Sequence, residues 1–428
     1  MKFSIILKSS FVLMLFTVFS CSKTEENVPL VNIASLVLTS DSADAILVVN
    51  ETVTFTVTGD DQENYNNQAT FFVNGAEITG NTYAFDSEGD FEVYAAYAGI
   101  NSNNLTFDVV SADERTLLLD HKQAFPNQPV TFSLIDADGI DTTADATFYV
   151  DGSAIAGNVY SSGSVALHEV YAEYELGGDT QVSATKNFEI FIAKRKVVLE
   201  DYTGTWCGYC PAVAAAAEEA HDATPHLAVV AIHETAASFP DPYHFPEVQM
   251  LKDAFGVNGL PAARINRTTN WNQPYAITDV TSIAGEDSDV AVGIKSQLSG
   301  NSLNVEVNVL FENGSNPGDK IVLYLTESGL IYDQVNYYND DPTSPYYQLG
   351  DPIPNFVHND VLRLSLSGIF GDAIEATGSY STFTKNFSVT LPDDYNAANL
   401  HLVAMVVSDD NGARNAQYAS VNEEKNYE

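Results

Sequence analysis

Residues 52–58, Thr-Val-Thr-Phe-Thr-Val-Thr, alternate polar and apolar positions without a break, the period of a strand with one face buried. Leu-Asn-Val-Glu-Val-Asn-Val at 303–309 does the same, and 320–325, 361–366, 383–389 and 400–407 are read as strands of that kind. In mid-chain the pattern changes. Val197-Val198-Leu199 and the run 227–232 (Leu-Ala-Val-Val-Ala-Ile) are continuously apolar, as expected of strands covered on both faces. Between them, 212–222 is rich in alanine, the best helix former. A second helical stretch, 247–255, precedes a further strand at 262–265. Strand, helix, strand, helix, strand is an α/β order.

The first half of the chain repeats itself. Ala-Thr-Phe-Phe-Val-Asn-Gly from Ala69 returns as Ala-Thr-Phe-Tyr-Val-Asp-Gly from Ala146, an offset of 77 residues (146 − 69). The same offset carries Val53-Thr54-Phe55 onto Val130-Thr131-Phe132, and Val93-Tyr94-Ala95 onto Val170-Tyr171-Ala172. Asn74-Gly75 and Asp151-Gly152 are hairpin dipeptides, because both central residues of a type I′ turn need positive φ. Two copies of a small β-sandwich are predicted, at 31–110 and 111–193, resembling immunoglobulin-like modules of bacterial surface proteins and serving as spacers. The region 288–428 predicts another β-sandwich, with a hairpin at Asn411-Gly412. Its long loop 332–356 holds Tyr337, Tyr338, Tyr346 and Tyr347, and is either a recognition surface or a cover packed over the sandwich.

Charge excludes one class of partner. Lys plus Arg number 18 against 58 Asp plus Glu, a formal net charge of −40, so no nucleic acid is expected. Lys2 and Lys8, the apolar run 11–19 and small Ser20 make a secretory signal, too short to span a bilayer, which takes about 20 residues. Val18-Phe19-Ser20-Cys21 resembles a bacterial lipobox. That resemblance implies cleavage after residue 20, lipidation of Cys21, a tether over 21–30 and a membrane held through the lipid.

Removing Cys21 from the three cysteines leaves one pair, Cys207 and Cys210, at the junction of strand and alanine-rich helix. A helix N-terminus offers unpaired N–H groups and partial positive charge, which favours thiolate. Closing so short a loop restricts the unfolded chain by only about 2 kcal/mol, against about 3 for fifteen residues, so a purely structural bridge has little to contribute. Two cysteines are also half of a tetrahedral zinc shell. His233, Asp241 and His244 could in principle complete one, but His233 is read as a satisfied surface histidine and no metal or cofactor is expected.

Trp206-Cys207-Gly208-Tyr209-Cys210 resembles the Trp-Cys-x-x-Cys of thioredoxin-fold proteins, and Phe255-Gly256-Val257-Asn258-Gly259-Leu260-Pro261 resembles their cis-proline loop. The resemblance implies a thioredoxin-like α/β domain over 194–287, opened by the basic trio Lys194-Arg195-Lys196. It also implies Leu260-Pro261 and Trp206 as the substrate-facing surface. Asp201 stands where many of these proteins have a buried acid, while the companion lysine has no counterpart, Ala231 and Ile232 occupying its strand. Cys207, at the exposed end of the loop, would attack a substrate disulfide; Cys210 would resolve the mixed disulfide, and Asp201 would hold the proton. Together with the lipobox and His358-Asn359-Asp360-Val361-Leu362-Arg363, these motifs resemble the outer-membrane lipoprotein family of Bacteroidota named for a twenty-eight-kilodalton antigen.

The expectation is a multidomain α+β protein: two immunoglobulin-like sandwiches, a thioredoxin-like domain and a carboxy-terminal sandwich. It would be anchored in the outer membrane, facing the periplasm or the cell surface. Its function would be thiol–disulfide exchange on thiols and disulfides of exported proteins. The alternative is a non-catalytic adhesion protein for a surface ligand, with Cys207–Cys210 a structural disulfide.

Overall fold

Strict alternation places Val53, Phe55 and Val57 of strand Thr52–Gly59 in the core of the first sandwich. The computed structural model describes residues 33–428, apart from 43–45, 111–114, 138 and 177–178. The signal segment 1–20, the tether 21–30 and Cys21 lie outside the described residues. Each repeat packs a three-stranded sheet on a larger, mostly antiparallel one. Phe55, Phe71, Phe85 and Phe107 fill the first core, and Phe132, Phe148 and Phe188 the second. Both hairpin dipeptides take the positive φ their turns require: 49° and 75° at Asn74-Gly75, 49° and 74° at Asp151-Gly152. The repeats are not loosely strung. Lys186 of the second reaches Asp108 and Asp90 of the first, and Phe125 and Phe191 pack with Ala291 and Leu310 of the carboxy-terminal sandwich.

The central strands Val197–Thr203 and Leu227–His233 are buried at all seven positions and pair in parallel, Val197 beside Leu227. Strand Ala262–Ile265 flanks the first of them antiparallel. Helix Pro211–Ala223 turns Val213, Ala217 and Ala220, one helical face, onto Val197, Leu199 and Leu227. Helix Val248–Phe255 stops at Gly256, whose φ of 65° closes a left-handed cap. At the domain entrance the basic trio is neutralised: Lys194 pairs with Asp287, Arg195 with Glu286 and Lys196 with Glu428.

The thioredoxin-like sheet does not end at its own domain. Ala231 pairs in parallel with Val361 and donates its N–H to Asp360 O, 2.8 Å away. Through strand Val361–Ser365 the sheet continues into Lys320–Glu327, Leu400–Val407 and Ala413–Ser420. Hydrogen bonds therefore cross the border expected at 287/288. This explains a departure from the expected pattern. Lys320–Glu327 and Leu400–Val407 are buried almost throughout instead of alternating. One face, with Ile321, Leu323 and Leu402, packs on the second sheet of the sandwich. The other, with Val322, Tyr324 and Met405, packs on Val198, Tyr202, Phe245 and Leu251. Covered on both sides, such strands read as continuous apolar runs. Only the outer sheet keeps the alternation, in Ser302–Phe311.

Candidate active site

Strand Val197–Thr203 delivers the chain to Gly204, and two consecutive tight turns carry it into the helix. Cys207 N–H donates to Gly204 O (2.9 Å) and Cys210 N–H to Cys207 O (3.1 Å). Pro211 then opens the helix, where its missing N–H leaves no bond unmade. Cys207 and Cys210 are joined by a disulfide, with Cα atoms 5.4 Å apart.

The insert after His233 holds this loop in place. Asp241 accepts from Thr205 N–H (2.7 Å) and Tyr243 N–H (2.8 Å), and its Oδ2 lies 3.0 Å from His233 Nδ1. Burial alone would raise the Asp241 carboxyl, but His233 and the two N–H groups hold it below the usual range. His233 is thus a buried histidine committed to Asp241, not a surface one, while His244 Nδ1 accepts from Thr235 N–H. Among the described residues no cluster of three or more His, Cys, Asp or Glu side chains is placed to hold a metal. Trp206 Nε1 donates to Glu234 O (2.6 Å), so its indole is pinned across the loop, 6.4 Å from exposed Phe239. The backbone passes so close that a Cβ on Gly204 would stand 2.8 Å from the Trp206 ring nitrogen and 3.1 Å from Glu234 O. Gly204→Ala should therefore lower stability by about 1–3 kcal/mol, read from denaturant unfolding followed by tryptophan fluorescence. An unchanged midpoint would show that the loop adjusts freely.

Leu260–Pro261 is a cis peptide. Register sets Ala262 beside Tyr202, so Pro261 stands next to the end of the strand from which the cysteine loop departs. Leu260 packs against the core cluster that includes Tyr202, Phe245 and Val248. Asp201, one strand position before Tyr202, is 3% exposed and pairs across the sheet with Ala263 and Ala231, where nothing carries a compensating charge. Desolvation pushes its carboxyl up to about 8, and Oδ1 makes no hydrogen bond to another protein group. A cavity of about 350 Å3 is bordered by Asp201, Cys210, His233, His358, Tyr346 and Phe356. Burial, and then the neighbouring His233, lower His358 to about 4, so it is neutral; its Nε2 is likewise without a protein partner.

The sequence did not anticipate the cover. Cys207 is only 5% exposed and Cys210 1%, although Cys207 is expected at the open end of the loop. The burial comes from the tyrosine-rich segment, which packs on the cysteine turn rather than over the sandwich. Strands Leu330–Gln334 and Ile353–His358 form its paired base. Gln334 Nε2 donates to Cys207 O (3.0 Å), Val335 N–H to Thr205 O (2.9 Å) and Tyr337 N–H to Gly208 O (2.9 Å). Gly208 makes room for it: a Cβ there would lie 2.5 Å from the Tyr337 ring. Tyr209 meets Tyr337 and Tyr338 edge-on, at 5.0 and 5.9 Å. The signals for this contact were the loop's length and its tyrosines; nothing local could say where it docks.

Residues 248–425 match the family described as outer membrane protein Omp28, and residues 179–270 match thioredoxin. Among solved structures the chain is similar to HBP35 of Porphyromonas gingivalis, at 18% identity over 55% of this chain and 77% of that one, with a TM-score of 0.43. It is also similar to fibronectin(III)-like modules of Clostridium thermocellum CbhA, at 19% identity over 36% of this chain and 93% of that one, with a TM-score of 0.16. At these scores neither likeness bears on function. No curated protein matches the chain.

Proposed function

We propose that this chain, which belongs through residues 248–425 to the Omp28 outer membrane protein family and carries a thioredoxin domain, exchanges its Cys207–Cys210 disulfide with thiols of exported proteins. A lipid on Cys21 would hold it to the outer membrane. The observation that carries the reading is a disulfide at a helix N-terminus whose second sulfur shares a cavity with a buried, unpaired acid. Such a constellation sits where perturbed acids serve chemistry.

The steps follow from position. A substrate thiolate attacks Cys207 Sγ; the Sγ–Sγ bond breaks and Cys210 leaves, taking a proton from Asp201, which regains one from solvent. A second substrate thiolate then attacks the substrate sulfur of the mixed disulfide and releases Cys207 as thiolate. Two electrons have passed from the substrate dithiol to the cysteine pair, and the protons of the substrate thiols go to solvent. Run backwards, Asp201 first gives its proton to solvent; Cys207 thiolate attacks a substrate disulfide, and Cys210 passes its proton to the Asp201 carboxylate as its sulfur resolves the intermediate. Trp206, Leu260 and Pro261 border the surface on which the substrate would lie.

In the Cys210→Ala variant no resolving thiol remains, so mixed disulfides through Cys207 should accumulate and be identified by mass spectrometry of non-reduced protein. Absence of adducts, together with absence of turnover on a disulfide-containing protein, would sink the reading. The burial of both sulfurs favours a second one: a binding protein in which the disulfide is structural. There, ligand binding would survive Cys207→Ser unchanged.

A further inference from the structure

We propose that segment 334–338 is a built-in competitor for the substrate: it occupies the docking face of the Cys-Gly-Tyr-Cys turn, and an extended, aromatic-bearing polypeptide replaces it. This rests on the exchange reading and names the substrate class for it. Val335 and Tyr337 are two residues apart, the spacing at which a strand offers N–H groups on one side. Those N–H groups go to Thr205 O and Gly208 O, the carbonyls that flank Cys207. A peptide added alongside the turn would find the same two acceptors, as in recognition by strand addition. The aromatic preference comes from Gly208 and Tyr209: the first leaves space for a ring, and the second packs edge-on against it. The two residues between the cysteines therefore fit the ring that covers them.

The segment is built to move as a body. It is tied to the rest of its own loop: Asn336 Nδ2 donates to Tyr346 O (3.0 Å) and Gly350 O (2.9 Å), Asn336 N–H to Asp351 Oδ1 (2.9 Å), and Gly350 N–H to Asn339 Oδ1 (2.8 Å). Tyr337 is 59% exposed, so one face of its ring already lies in solvent. Leaving the turn breaks the two N–H bonds, the Gln334 contacts and the tyrosine edges, while the loop's scaffold stays intact.

The test uses the full chain. In reduced protein, Tyr337→Ala should speed alkylation of Cys207 by iodoacetamide roughly tenfold, the factor expected for losing an aromatic pair. In oxidised protein the same variant should speed reduction by dithiothreitol. A second variant, with 338–350 replaced by two glycines, should show a larger rise. The free peptide Gln-Val-Asn-Tyr-Tyr should slow alkylation of that variant, and Gln-Val-Asn-Ala-Tyr should not. Unchanged rates in both variants, or equal effects of the two peptides, would overturn the proposal. Accelerated variants without adducts or turnover would leave the cover standing and remove the exchange reading. Turnover with unaltered variant rates would do the reverse.

Discussion

Arg267→Leu is expected to lower the stability of the thioredoxin-like body by about 3–5 kcal/mol, the cost of leaving a buried charge without its partner. Arg267 and Glu200 are both fully buried, with Nε 3.1 Å from Oε1. Tyr202 OH donates to the other Glu200 oxygen (2.9 Å), and Arg267 also donates to Tyr324 OH (3.0 Å) and Ile369 O (3.3 Å). The guanidinium lies over the Phe255 ring at 4.8 Å. These groups come from the central strand, the segment after Ala262–Ile265 and the carboxy-terminal strands, so the network ties the shared sheet together. The chain's two tryptophans, Trp206 and Trp271, both report on this body, so fluorescence-detected denaturation isolates it from the repeats. The double variant Glu200→Leu/Arg267→Leu should recover part of the loss, because no charge is then stranded. A loss below about 1 kcal/mol for the single variant would show that Glu200 finds water or another partner.

Asp201→Asn is the second. Exchange at neutral pH should slow by roughly 10²-fold or more, the usual contribution of a positioned acid–base group. The same variant carries a thermodynamic signature. The folded protein keeps a proton on Asp201 up to about 8, whereas the unfolded chain loses it near the ordinary aspartate value of 3.8. Between those values the native state binds the extra proton, so stability is full below the lower one and is lost as pH rises through the upper one. The loss is on the order of 1.4 kcal/mol per unit. Asparagine does not titrate, so the variant should show a flatter profile across that window and exceed the parent in stability at its alkaline end. Identical pH profiles for the two proteins would remove Asp201 from the mechanism; an altered stability profile with an unchanged exchange rate would leave it a buried acid only.

Legibility varied with the range of the interaction. Turns, caps and periods are set by a few neighbouring residues, and Asn74-Gly75, Asp151-Gly152 and the helix after Pro211 form where those residues require. The apolar runs 197–199 and 227–232 were equally plain, because a run without polar positions has no wet face to offer, but burial also extends over the polar Glu200, Asp201, Thr203 and His233, which no such pattern marks. Lys320–Glu327 and Leu400–Val407 were misjudged because what covers their second face comes from far earlier in the chain, from Val198, Tyr202, Phe245 and Leu251. His233 was misplaced for the same reason: its partner Asp241 is near in sequence, but the walls that bury both, Tyr243 and His358, are brought by the insert and by a distant strand.

The residues of the chain by themselves determined the repeat, the order of strands and helices, and the position of the two cysteines at a strand-to-helix junction. Each of these depends on local geometry or on identity between two stretches. Only the tertiary structure decided that one sheet joins the thioredoxin-like part to the sandwich, that Arg267 neutralises Glu200 in the core, and that the tyrosine-rich segment lies on the Cys-Gly-Tyr-Cys turn. Those depend on pairings between residues far apart in sequence, whose partners are chosen by burial and hydrogen-bond satisfaction once the chain has collapsed, and no local pattern encodes which partner that will be.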